Sequence, residues 1–145
     1  MTQPKHNLPG RDEVVALALL GVDWGERRIG LAFKPAGQDW ALPRAVLETR
    51  AEADAVASMR RVIAESGANA VVVGLPVNPD PMMVRRVKKF CRKVREGTAG
   101  VRWFFADENL TSSEADSISL DRGRRRPTDD LAAKLIVETF VNQCR

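Results

Sequence analysis

Apolar residues in this chain recur with two different periods, and the periods divide it into elements. Val14 to Val22 is a long apolar stretch that runs straight into Asp23, and after Gly25 an alternating pattern resumes through Ile29, Leu31 and Phe33. Apolar runs bounded by Gly and polar residues predict two strands joined by a tight turn, with Asp23 closing the first. Trp40 to Leu47 predicts a third strand, in which Pro43 marks an edge or an irregularity. From Arg50 to Ser66 the spacing changes: Ala55, Val56, Met59, Val62 and Ile63 recur as on one side of a helix, and Gly67 suits its C-terminal cap.

Ala70 to Val73 is a continuous apolar run ending at Gly74, the pattern of a strand covered on both faces. Met82 to Arg95 predicts a second helix, with Val84, Val87, Phe90, Cys91 and Val94 on one side and Arg85, Arg86, Lys88, Lys89, Arg92, Lys93 and Arg95 on the other. Val101 to Ala106 predicts a further strand, ending at Asp107-Glu108. Thr111-Ser112-Ser113-Glu114 matches a capping box at the start of another helix. After the basic stretch Arg122-Gly123-Arg124-Arg125-Arg126, Pro127-Thr128 opens the last helix, with Asp129 and Asp130 favourable in its first turn.

This order predicts an α/β fold: a mixed sheet of antiparallel hairpin strands followed by parallel strands, with helices on both faces. One domain is expected over residues 13–145, preceded by a polar tail, 1–12, that carries Pro4 and Pro9 and is expected to be disordered.

Composition narrows the chemistry. No apolar run approaches the roughly 20 residues that span a bilayer, and no signal-peptide core is present, so no membrane partner and a cytoplasmic location are expected. Cys91 and Cys144 lack the paired spacing of a zinc site or disulfide framework, and His6, in the tail, is the sole histidine. Polar catalysis must therefore lean on carboxylates. A formal charge of +4 favours an anionic partner.

Three acidic residues share one property: each lies where an element ends or begins beside a buried strand. Asp23 closes the first strand, Glu108 the last, and Asp129 opens the final helix. Ligands gather at the carboxyl ends of strands in α/β sheets. Carboxylate oxygens suit Mg²⁺ or Mn²⁺, and a pair of such ions can activate water in phosphodiester hydrolysis. Asp23 could alternatively accept bonds from its own turn. Between the two adjacent aspartates periodicity decides, because Ala132, Ala133, Ile136 and Phe140 continue an apolar stripe from Asp129. Asp130 shares its side with Lys134, within reach of an i,i+4 pair. Cations flanking such a site would attract a polyanion. If Arg122, Arg124, Arg125 and Arg126 each neutralised one phosphate, binding would fall with salt at a log–log slope of about −3.6. Trp24, Trp40 and Trp103 are open to base stacking or to packing, with packing favoured for the last two.

Gly21-Val22-Asp23-Trp24-Gly25 with Arg28-Ile29-Gly30, then Val72-Val73-Gly74-Leu75-Pro76 with Asn78 and Asp80, then Asp107-Glu108 with Leu110-Thr111, then Asp129 before Ala132-Ala133 resemble, in order, the YqgF (RuvX-like) family of RNase H-like nucleases. The resemblance runs from about Leu17 to Gln143. It implies an RNase H-like fold and a Mg²⁺- or Mn²⁺-dependent nuclease in which Asp23, Glu108 and Asp129 form the catalytic, metal-binding set. Gly25 and Gly30 would shape the hairpin turn, Asn78 would belong to a substrate loop, and Arg28 would join the Arg-rich stretch in contacting nucleic acid. The implied activity is maturation of the 5′ end of pre-16S rRNA in ribosome biogenesis. A Holliday junction resolvase acting on branched DNA, in which case a homodimer is expected, is the alternative. A non-catalytic nucleic-acid-binding module and an actin-type ATPase fragment are the further alternatives. Asn109 stands where the family commonly has arginine, Pro79 and Pro81 flank Asp80, and the segment between Glu108 and Asp129 is short for the family. These departures bear on substrate choice.

Overall fold

The stretch from Val14 to Val22 is not one strand. In the computed structural model, which describes residues 8–75, 80–107 and 129–145, it is divided between a short helix, α1 (Arg11–Ala16), and strand β1 (Leu19–Asp23). The Arg11 N–H reaches the Arg145 carbonyl at 3.1 Å, so α1 starts inside the segment expected to be a disordered tail. Val14 is fully buried against the last helix, and extended backbone at Leu17 ends α1. Its apolar residues serve a helix packed on a helix before the chain enters the sheet.

From there the elements follow their periods. Strands β2 (Arg28–Lys34) and β3 (Leu42–Glu48) continue the hairpins, and α2 (Glu52–Ser66) ends on Gly67 in the left-handed conformation at φ 70°. Then come β4 (Ala70–Leu75), α3 (Pro81–Arg95), β5 (Arg102–Asp107) and α4 (Asp129–Gln143). Asp80 caps α3 by accepting the Met82 N–H at 3.0 Å, with Pro81 in the first turn, where its missing N–H costs nothing.

The strands form one sheet in the order β3-β2-β1-β4-β5. β1 and β3 run antiparallel to β2, whereas β4 runs parallel to both β1 and β5. The mixed sheet is the expected one, and the register shift between Leu31 and Ala32 lies opposite Pro43, the residue that marked an irregularity.

Alternation along the strands gives each face its own core. Leu20, Val22, Ile29, Leu31, Val71 and Val73 pack against Met59 and Ile63 of α2 and Val87, Phe90 and Val94 of α3. Leu19, Ala70, Val72, Phe104 and Ala106 face the other way, against Ile136, Val137, Phe140 and Val141 of α4. Every residue of β4 is buried, as its unbroken apolar sequence requires.

On the α4 face the sheet is paved with glycine. A methyl on Gly21 would lie 2.2 Å from Val137 Cγ2, and one on Gly74 2.4 Å from Ile136 Cδ1. A methyl on Gly30 would lie 1.9 Å from the Asp129 carbonyl oxygen. The helix therefore sits closer to β2, β1 and β4 than any side chain would permit.

Lys34 lies under this layer with no exposed surface. Its ammonium donates to the carbonyls of Val15 at 2.8 Å, Pro35 at 2.9 Å and Gln38 at 2.7 Å, tying α1 to the loop after β2. Burial pushes its pKa below the usual lysine value, partly opposed by Asp39.

Candidate carboxylate site

Asp23 is the last residue of β1, half-buried, and on the same face as Leu19. It sits between Gly30 of β2 and Gly74 of β4 in the ladder. Gly30 is where α4 touches down: the position of its absent methyl is 2.8 Å from Asp129 Cβ. Residues directly opposite on antiparallel strands hold their Cβ positions about 4.5–5.5 Å apart, which keeps the Cβ atoms of Asp23 and Asp129 within about 8 Å. The two carboxylates thus share one face at one end of the sheet. Gly30, which the family resemblance assigned to the hairpin turn, lies instead within strand β2, and its missing side chain admits Asp129. Gly25 does lie in the turn, where a methyl would come 2.6 Å from the Arg28 carbonyl oxygen.

Arg28 reaches toward the pair, its Nε 4.0 Å from Asp129 Oδ2; the two side chains are 67% and 39% exposed. An ion pair this long and this exposed is weak, so both groups stay available to a ligand. Asp130 accepts the N–H of Leu131 at 3.0 Å, and Lys134 binds both oxygens of Glu138, at 2.8 and 2.9 Å, rather than Asp130. Glu138 in turn accepts the Ala41 N–H at 2.9 Å, so this bridge anchors α4 to the start of β3.

Glu108, Asn78, Arg122, Arg124, Arg125 and Arg126 lie outside the described residues, as does the capping box at Thr111. Phe104 and Ala106 of β5 face α4, as Asp23 does, and Glu108 follows Ala106 by two positions in the sequence. Among the described residues no group of three potential metal ligands comes together. Asp23 and Asp129 nevertheless suit a hard cation: both offer oxygen donors, and a span of about 8 Å between Cβ atoms lets both reach one ion.

The basic side of α3 belongs to the other layer, across the sheet from Asp23. There Arg86 pairs with Glu26 of the hairpin, and Lys93 binds Glu52 of α2 at 2.9 Å, holding that carboxyl below its ordinary pKa through the hydrogen bond. Trp24 turns to this layer too, its ring 6.4 Å from that of Phe90, so its use is packing. Trp103 is partly buried in the same core; Trp40 is 42% exposed, with its indole N–H on Gln38 at 3.2 Å. Arg27, Thr49 and Arg50, which no charge run along the chain marks, line with Arg28 and Glu48 an open cleft of about 340 Å³ at the end of the β2–β3 ladder.

A mixed sheet in the order β3-β2-β1-β4-β5, with helices on both faces, is an RNase H-like fold. RuvC of T. thermophilus, solved with a Holliday junction substrate, superposes with a TM-score of 0.60 over 88% of this chain and 95% of that one at 18% identity. The yeast mitochondrial Holliday junction resolvase Ydc2 does so with a TM-score of 0.57 over 92% and 83% at 12% identity. The chain belongs to the RuvX family, whose model, described as a Holliday junction resolvase, matches residues 17–143. Among relatives, a protein of Azotobacter vinelandii (strain DJ / ATCC BAA-1303) named "Putative pre-16S rRNA nuclease" is 36% identical over 131 residues, 85% of this chain and 92% of that one.

Proposed function

We propose that this protein is a Mg²⁺- or Mn²⁺-dependent nuclease that trims the 5′ end of pre-16S rRNA, with Asp23, Glu108 and Asp129 as the metal-holding carboxylates. The observation that carries the reading is the seating of Asp129 on Gly30, opposite Asp23. The bound ions would supply an activated water and neutralise charge on the leaving oxygen. The protein's part is to hold two carboxylates from different elements on a rigid sheet face, and to present Arg28 at 4.0 Å from Asp129 as a donor to the substrate backbone. The names carried by the relatives favour rRNA; the family's description as a Holliday junction resolvase favours branched DNA as the second reading.

The test is cleavage of a pre-16S rRNA 5′ precursor and of a four-way DNA junction, side by side, in Mg²⁺, in Mn²⁺ and in chelator. Faster cut of the precursor, lost in chelator and in Asp23→Asn while RNA binding persists, is the expected result. Preferential paired cutting of the junction by a dimer would move the substrate to DNA. Binding without cleavage of either substrate would leave a binding module.

A further inference from the structure

The cleft beside the carboxylates carries a second assignment. Arg27 directly precedes β2 and Arg28 begins it, while Glu48 ends β3 and Thr49 and Arg50 follow it. The ladder fixes them relative to one another: Arg28 pairs with Glu48 in register, the Thr49 N–H donates to the Arg27 carbonyl at 2.8 Å, and the Thr49 hydroxyl donates to the Glu26 carbonyl. Three guanidinium-bearing residues thus line one concavity from adjacent strands, against a single carboxylate. That carboxylate is a loose partner, because Arg50 Nε lies 3.5 Å from Glu48 Oε2 with the side chains 90% and 68% exposed. Arg28 joins the cleft to the candidate site through its 4.0 Å approach to Asp129.

We propose that Arg27, Arg28 and Arg50 form a backbone-phosphate site that grips the nucleic-acid strand next to the phosphodiester presented to the Asp23 and Asp129 site. The assignment rests on the nuclease reading for what lies at the carboxylates, but not for the grip itself. Guanidinium groups bind phosphate through paired N–H donors, which lysine cannot reproduce. A phosphate entering the cleft displaces Glu48 from Arg50 and loses little by doing so. It also leaves Arg28 between two anions, the strand and Asp129, so the strand is registered against the carboxylates rather than merely attracted to the surface.

The experiment uses the full chain in chelator, with binding of a labelled single-stranded RNA followed by anisotropy from low to high salt. For single strands each lost phosphate contact reduces the steepness of log K against log salt by about 0.7. Arg27→Gln and Arg50→Gln are each expected to flatten the dependence by about that amount, and the double variant by about 1.4. Glu48→Gln, which removes the competing carboxylate, is expected to tighten binding about threefold at low salt, a gain that misfolding cannot imitate. Unchanged steepness in the double variant, or no tightening in Glu48→Gln, would overturn the assignment. So would displacement of the strand by a nucleoside monophosphate at matched ionic strength, which would give the cleft to free nucleotides. If these shifts occur while wild type cleaves nothing in Mg²⁺ or Mn²⁺, the grip stands and the nuclease reading fails. Cleavage with unshifted binding is the reverse.

Discussion

Replacing Gly30 with alanine perturbs the site with one methyl group. That methyl would lie 1.9 Å from the Asp129 carbonyl oxygen, 2.2 Å from its carbon and 2.8 Å from its Cβ. Carbon–oxygen contacts open to about 3.2 Å or more, so the first turn of α4 must lift by about 1.3 Å. Overpacking of this kind costs about 1–3 kcal/mol. For a chain of 145 residues that is a fall of about 4–12 °C in Tm. The greater effect is on chemistry. Asp129 moves with the backbone that is pushed, while Asp23, on the central strand, does not. A displacement of about 1 Å in a reacting constellation can reduce turnover about a hundredfold. The assay pairs thermal unfolding by circular dichroism with the cleavage rate in Mg²⁺, measured well below the variant's Tm. Gly67→Ala is the control: its φ of 70° makes alanine strained at the α2 cap, and nothing lies within 4 Å of the added methyl. It should lose about 1 kcal/mol of stability and keep its activity. A Gly30→Ala protein that cleaves within threefold of wild type would refute the geometry, whatever its Tm.

The remaining predictions concern groups away from the carboxylates. Burial raises the Cys91 thiol to about 12, and burial also raises that of Cys144, so a thiol reagent at pH 7.5 should find neither in the native protein and both in denaturant. Lys34→Met strands three carbonyls and should cost about 1–3 kcal/mol at pH 7. Because the folded pKa of Lys34 lies below 10.5, the unfolded chain holds its proton to higher pH; the Lys34 contribution to stability should rise with pH between its lowered value and 10.5, as denaturant titrations of wild type against the variant would reveal. Trp24→Phe keeps a ring against Phe90 and should leave RNA affinity in chelator unchanged, whereas a tenfold loss would restore Trp24 to the substrate.

Much of this fold could be read along the chain because its strongest signals are local. The helical spacing before Gly67, the Asp80-Pro81 start of α3 and the unbroken apolar run of β4 each depend on neighbours within a turn or two. Val14 misled for the opposite reason: an apolar residue records that it is buried, not whether a sheet or a helix buries it. The positions of Asp23 and Asp129 at element ends were legible, and so was the inward side of α4. What brings the two together was not, since Gly30 carries no local mark distinguishing a turn glycine from one under a helix. The Arg27–Arg50 cleft was hidden by separation along the chain, and only the β2–β3 register places its arginines side by side. Trp24, next to Asp23, points the other way by strand alternation, so proximity in sequence meant opposite sides of the sheet.

The seating of α4 on its glycine-paved face also sets a time order. Asp23 is synthesised early and Asp129 late, and the helix that carries Asp129 is held by contacts with strands already made. Domains emerge from the ribosome N-terminal end first. The pair of carboxylates therefore cannot form on a nascent chain until the α4 segment has cleared the exit tunnel. An activity directed at ribosomal RNA would thus stay latent until that segment has emerged and docked on the sheet.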